Sequence, residues 1–542
     1  MQAFTTAIAD QDNAEFFFAP RVYTVDNPAA AAPQPIFRQV ALWFNKSDGS
    51  IYYQQFGELA AEFDSDGTGA DFIDSGHSLG SGDTSTNFFR TWSQNVITWN
   101  DDIYMTGLHY NGFSGGSGAG VGGAWQTQSG AIGSPSLPIR YDAQDISFTR
   151  PLVHDLDGDT TGFPRARTCV AYHDRIFAAN VHKTGSYRYP SRLYWSNAGT
   201  AETWGTNSWI GINTDDGQEI TAIVPFGEQM LIFKNNSTYT LVGTDEDTFA
   251  LYPIDVRIGT EGTYAATAAG GVAYFFDTNT CTIWSYDGAR FNDVGEPISA
   301  YVRANLNYNA TFKIVVQVFG HYLWFSYPKT DGSPTQTDEN TETLVFDMQR
   351  NAWTRWTFGI VPSICARYSD YIATGGAGAV TPGNSNPYFV VDDASNDSYV
   401  AIGYMGSTNT DAATVWTDFG ANYSFEFRTA WFSPDNGNNR NRIRRFGSLA
   451  AENSNDLTVA LYRDFINTAW QTFVFDPLAE TENILEYHLQ QSIVDVNGMF
   501  NWLACKVTAS HADEAQVNAL MYSWSRRGGQ RGDMGGTGYD AV

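Results

Sequence analysis

One strand phrase returns between about residue 100 and residue 375, and it limits what this chain can fold into. A turn residue, acidic or Gly, precedes four to six apolar or aromatic residues, and a polar break follows. The phrase reads Asp101-Asp102-Ile103-Tyr104-Met105, Asp174-Arg175-Ile176-Phe177-Ala178 and Glu228-Gln229-Met230-Leu231-Ile232-Phe233. It returns as Gly271-Val272-Ala273-Tyr274-Phe275, Gly320-His321-Tyr322-Leu323-Trp324-Phe325 and Asp370-Tyr371-Ile372-Ala373. Counted from Asp174, Glu228, Gly270, Gly320 and Asp370, the starts lie 54, 42, 50 and 50 residues apart. A period of about 40–50 residues built from short strands marks a β-propeller, one four-stranded blade per repeat.

The rest of the chain agrees with an all-β reading. Its 542 residues exceed one ordinary core, and propellers grow by adding blades. The 16 Trp, 29 Tyr and 36 Phe, with 51 Gly, suit sheets joined by tight turns. No window carries a 3.6-residue apolar stripe over three turns, so helix is expected to be scarce. Residues 1–90 read as an N-terminal arm, a hairpin and loops. Ala29 to Pro35 reads as a linker within the arm, and the hairpin Val40–Phe44 with Ile51–Tyr53 is the candidate for a first, degenerate blade.

Residues 91–412 read as a propeller of six to eight blades. Two of its hairpins, Leu344–Asp347 with Asn351–Trp356 and Ser285–Phe291, share one form. Beyond, over 413–525, longer strands are expected at Tyr423–Phe432, Arg442–Ala451, Leu457–Tyr462, Trp470–Phe475, Ile484–Gln490, Asn501–Thr508 and Val517–Trp524. Seven strands in that space suit an additional C-terminal β-sandwich-like domain, although two closing blades would look similar. A Gly-rich tail, 526–542, is expected to be extended.

Charge and cysteine usage narrow the function. Lys and Arg total 31 against 59 Asp and Glu, a formal net charge of −28. Such a chain repels nucleic acid and anionic membrane at a distance, yet a negative wall would let DNA slide past without sticking. Cys169, Cys281, Cys365 and Cys505 are far apart in apolar runs and read as buried free thiols. No apolar run reaches the ~18 residues a membrane helix needs. Met1-Gln2-Ala3-Phe4 lacks a basic region and apolar core, so synthesis and folding in a cytosol are expected.

Motifs that usually carry chemistry are weak here. Gly118-Ala119-Gly120-Val121-Gly122-Gly123 spells a dinucleotide fingerprint but has no βαβ unit around it. Asp155, Asp157 and Asp159, like Asp64 and Asp66, alternate as calcium loops do. Both strings lack the Gly at loop position six and the Glu at position twelve, and acidic turns account for them better than calcium does. His173 and His321 precede strands and read as turn histidines. Ser433-Pro434-Asp435-Asn436-Gly437 and Ser196-Asn197-Ala198-Gly199 each lack part of the S-x-D-x-G-x-x-W turn of sialidase-type propellers. No catalytic residue, cofactor or metal is therefore assigned.

The one concentrated basic element is Arg440-Asn441-Arg442-Ile443-Arg444-Arg445, at the start of a C-terminal strand. Alternation places Arg442 and Arg444 on one face. Three readings stay open: contact with an acidic neighbouring subunit, a solvated strand edge blunted by charge, and nucleic acid.

A resemblance joins these parts. Ser191-Arg192-Leu193-Tyr194-Trp195-Ser196-Asn197-Ala198-Gly199 followed by Glu202-Thr203-Trp204 resembles a phrase of bacteriophage tail proteins built on propellers. Similar stretches follow in order: Asp216–Ala222, Leu231–Lys234, Ser237–Tyr239, Gly259–Thr263, Gly271–Phe275 and Ile283–Gly288. Further on, Arg442–Phe446 and Arg526–Gly532 look like the family's last strand and ending. The family is the tail nozzle or tail tubular group of short-tailed phages, with the related packaged-DNA stabilisation proteins. The likeness covers about residues 165–300 well, 420–532 in patches, and little before residue 90.

The resemblance implies a non-enzymatic virion protein, made in a bacterial cytoplasm. Copies would form a six-fold ring below the portal, retain and then conduct the genomic DNA, and meet a portal adaptor and tail fibres or spikes. The alternative from the residues alone is a propeller enzyme or lectin acting on carbohydrate.

Overall fold

The computed structural model describes the chain most fully over residues 161–182, 188–330, 340–356, 457–475 and 489–511, with shorter stretches and single strands elsewhere. It divides into two compact units: Ala3–Trp353 with Ile360–Met405, and Gly406–Val542 with Met1–Gln2 and Thr354–Gly359.

The first unit carries seven antiparallel sheets, six consecutive along the chain and the last completed by the N-terminal strand. Blade 1 is a five-stranded sheet within residues 14–78, where the sequence suggested an arm with one hairpin. Blade 2 spans Ser93–Trp99 to Ser147–Thr149, and blade 3 runs from Arg165–Tyr172 to Trp204–Gly211. Blade 4 spans Ile220–Phe226 to Ala250–Asp255, blade 5 spans Ala266–Ala269 to Phe291–Asp293, and blade 6 spans Val315–Phe319 to Ala352–Trp356. Blade 7 joins Pro362–Cys365, Tyr388–Asp392 and Ser398–Ile402 to the N-terminal Gln2–Ala3. Inner strands touch in sequence from blade 2 to blade 7, and the inner strand of blade 7 touches the first strand of blade 1. The unit is a β-propeller of seven blades.

In blades 3 to 6 the recurring phrase is the first hairpin turn plus the second strand. His173 and Asp174 both take positive φ (46° and 56°), as do Gly270 and Gly271 (60° and 79°). That is the type I′ pattern, whose twist matches a right-twisted hairpin. Blades 4 and 6 place Gly227 and Gly320 first in the turn instead. The final phrase, Asp370–Ala373, lies outside the described residues, as do the Gly-rich stretch and the aspartate strings.

Burial explains why the phrase is a continuous apolar run. In blade 4, Met230 and Ile232 pack toward blade 3, while Leu231 and Phe233 pack toward blade 5. In blade 5, Ala273 and Phe275 face blade 4, while Tyr274 and Phe276 face blade 6. Side chains alternate at every step, but both faces are core.

Cys169, Cys281 and Cys505 are buried free thiols, as expected. Burial raises the Cys505 thiol to about 11.

One α-helix, Glu296–Asn305, links blades 5 and 6. Pro297 suits its first turn, where an amide proton is not needed, and Val302 is its one buried residue. That leaves no apolar stripe to read.

The second unit is a sandwich of two five-stranded antiparallel sheets. One is built on Ala421–Arg428, Leu503–His511, Leu457–Arg463 and Gln471–Phe475. The other is built on Leu489–Phe500, Asn441–Ala451 and Val517–Arg526. Ile443, Phe446, Val496 and Phe500 from one meet Leu457, Val459, Leu461, Leu503 and Val507 from the other. Of the expected strand Ile484–Gln490, Ile484 ends the short strand Asn483–Ile484, while Leu489 and Gln490 begin a twelve-residue strand, Leu489–Phe500. It runs through Asn497-Gly498, a pair that ordinarily turns a chain. A Cβ on Gly498 would lie 1.7 Å from Trp470 Cζ2, so glycine here makes room for an indole.

Candidate functional site

Among the described residues, the ends of the inner strands hold a polar network that links several blades. Arg167, third in the inner strand of blade 3, is 2% exposed. Its Nη1 donates to Glu219 Oε1 at 2.7 Å, its Nη2 to the Glu261 carbonyl at 2.6 Å, and its Nε to Thr263 Oγ1 at 3.4 Å. Glu219 precedes the inner strand of blade 4, and Glu261 and Thr263 precede that of blade 5. The other Glu219 oxygen accepts from Asn180 Nδ2 at 3.1 Å. The Glu261 carboxylate accepts from Thr311, which leads into blade 6. One guanidinium and two carboxylates thus bind blades 3 to 6 together at the end where their inner strands begin. A buried charge persists only when paired and hydrogen-bonded, and Arg167 is both, with Glu219 as its counter-charge.

Lys234 repeats the logic between blades 3 and 4. Its ammonium is fully buried and donates to the carbonyls of Ile212 and Asn213 at 3.0 and 3.1 Å and to Asp216 Oδ1 at 2.6 Å. Three donors meet three acceptors. Burial pulls its pKa below the usual lysine value, against the pull of Asp216.

A third cluster joins blades 2 and 3. Arg140 contacts Asp102 at 2.7 Å and Glu202 at 3.7 Å, and Tyr104 donates to Glu202 Oε1 at 2.8 Å. A tyrosine beside a glutamate can be a nucleophile pair, provided the phenol loses its proton readily. Burial, with the Glu202 charge next, holds Tyr104 well above the usual phenol range. The tyrosine is kept protonated, as a hydrogen-bond donor.

Of the residues singled out in the sequence, Arg442, Arg444 and Arg445 are exposed, while Asn441, Ile443 and Phe446 are buried. Arg440 lies outside the described residues. The strand Asn441–Ala451 is central in its sheet, flanked by Leu489–Phe500 and Val517–Arg526. The strand-edge reading is therefore corrected: charge here guards no open edge. Pairing shifts between Ile443 and Arg445 against both neighbours, a β-bulge that turns Arg445 outward after Arg444 and keeps Phe446 in the core.

The rings of His173 and His321 lie tilted against those of Tyr172 and Tyr322 at centroid distances of 4.0 and 3.9 Å. Among the described residues, no three His, Cys, Asp or Glu side chains gather as a metal site. Sequence reading passed over Arg167, Glu219, Glu261 and Lys234. Their signal was a full charge beside or inside an apolar strand run, which demands a partner.

No family model and no curated protein matches the chain. Among solved structures it is similar to PorZ, a surface component of the type-IX secretion system of Porphyromonas gingivalis. Identity is 10% over 74% of this chain and 40% of that one, with a TM-score of 0.32. It is similar to YCF48 bound to D1 peptide at 8% identity, over 75% and 100% of the two chains, with a TM-score of 0.34. Trypanosoma rangeli sialidase in complex with sialic acid matches at 7% identity over 97% and 84%, with a TM-score of 0.28. Likeness this distant says nothing of activity; the propeller stands on its seven sheets.

Proposed function

We propose that this chain is a structural protein of a short-tailed phage tail. Copies close into a ring below the portal that retains and then conducts DNA, and the ring carries fibres or spikes. The observation that carries this reading is the Arg167 network. Ionisable groups at the axial end of the propeller tie four blades to one another, which suits a rigid platform. An enzyme would hold such groups ready for a substrate.

The phrase behind the family resemblance is likewise structural. It forms the last hairpin of blade 3, where Ser196 Oγ accepts from the Ile176 amide at 2.9 Å and the Trp204 indole donates to the Gly162 carbonyl at 3.0 Å. A net charge of −28 suits a conduit wall that does not hold DNA.

Negative-stain imaging and mass photometry of the purified chain test the proposal. Closed rings and no release of sugar from host surface polysaccharide are expected. Monomers at every concentration, or turnover of polysaccharide, would overturn it.

A further inference from the structure

The sandwich presents a compact basic face. Arg442, Arg444 and Arg445 stand exposed within four residues of one central strand. Like charges crowded on a sheet face repel. In register, Asp495 stands opposite Arg445, whereas Met499 and Ser525 stand opposite Arg442. Arg444, the bulged residue, falls outside the register of both neighbours. A phase reset at this point needs one extra residue, not an arginine. The bulge therefore sets an exposed arginine between Ile443 and Phe446, which hold the core.

We infer that this face docks on an acidic surface of a second copy of the chain: the hairpin end of blades 3 and 4, at Asp174, Glu228, Asp245 and Asp247. All four are exposed, and all lie in first or last hairpins, so they share one end of their blades. Guanidinium forks match carboxylates bidentately. With 59 acidic residues against 31 basic ones, the arginine face is the chain's minority charge, and its complement is abundant on every other copy. Contact between two different patches is heterologous, the kind that closes into rings when the rotation permits. This docking rests on the proposed ring assembly and supplies its interface.

Charge exchange tests it. The wild type is expected to assemble at low salt and to dissociate as salt rises, because rim charges are screened within about 8–10 Å. Arg442→Glu with Arg444→Glu is expected to need roughly 30-fold more protein to assemble, or to stay monomeric, with unchanged circular dichroism. Arg442→Gln with Arg444→Gln should weaken assembly less. Adding Glu228→Lys and Asp247→Lys to the Glu variant should restore rings. Wild-type rings that survive Arg442→Glu with Arg444→Glu, or a charge exchange that restores nothing, overturn the docking and leave the platform reading standing. Short duplex DNA bound by the wild type and lost in the variant, with rings unchanged, assigns the face to phosphate and also overturns it. A wild type that is monomeric throughout removes the ring reading itself.

Discussion

A second strand of the propeller and a strand of the sandwich use the same alternation toward different ends. Gln229–Lys234 is buried at five of its six positions, because blades cover both of its faces. In Leu457–Arg463 only Leu457, Val459 and Leu461 are buried, because one sheet covers one face. The number of covered faces thus decides whether a strand reads as an unbroken apolar run or as alternation. It also decides where charge can stand. Between blades a charge must be paired, as Arg167 and Lys234 are; the sandwich has an outer face where Arg444 needs no such partner to fold.

The contrast breaks first at the paired charges. Arg167→Met should destabilise by about 3–5 kcal/mol, because Glu219 is left without its partner in a nearly closed site. Adding Glu219→Gln should recover part of that loss in urea denaturation of the full chain. Equal losses in the single and double variants would mean that the pair is not a tie between blades. A second test compares neighbours. Leu231→Ala and Ile232→Ala point to opposite blades, and each should cost about 2–5 kcal/mol. In the sandwich, Val459→Ala should be costly and Thr458→Ala nearly neutral. A silent member of the Leu231 and Ile232 pair would refute burial on both faces.

Legibility followed the same division. The propeller could be read from Met230–Phe233 and its counterparts because two-sided burial leaves a dense, periodic signal. Type I′ turns at His173-Asp174 and Gly270-Gly271 mark where two of the phrases begin. Blade 1 was harder, since within residues 14–78 only the hairpin at Val40–Tyr53 carried the pattern. The helix Glu296–Asn305 was hidden because it buries Val302 alone. The expected strand ended at Gln490, where Leu489–Phe500 has only begun, and the stretch it left out passes through Gly498, where Trp470 packs in the space a Cβ would fill. The Arg167 network was illegible for a further reason. Arg167 and Glu261 are 94 residues apart, and only the packing of blades brings them together.

Smaller effects sharpen the comparison at the surface. Val474, on the outer side of the sandwich, is 61% exposed, and Val474→Lys should change stability by no more than about 0.5 kcal/mol. A similar charge at Leu231 should prevent folding. A larger loss at Val474 would mean that this face is covered in solution, which sedimentation of the variant would show as a change of mass.

Exposed acids of the blades stand at hairpin ends, and Asp287 shows what such a charge does. Its Oδ1 accepts from the amides of Ala289 and Arg290, both at 2.9 Å, in the last turn of blade 5. The Arg290 amide first, then that of Ala289, holds the carboxyl below its usual value of 3.8. A depressed carboxylate contributes stability that is fully present above the unfolded value and disappears as pH falls through the folded one. The melting-temperature gap between wild type and Asp287→Ala should therefore be constant from neutral pH down to about 4 and narrow below it. A gap that stays constant down to pH 2 would mean that the turn depends on the shape of the side chain and not on its charge. The hairpin ends would then lose their claim to be where the blades place useful charge.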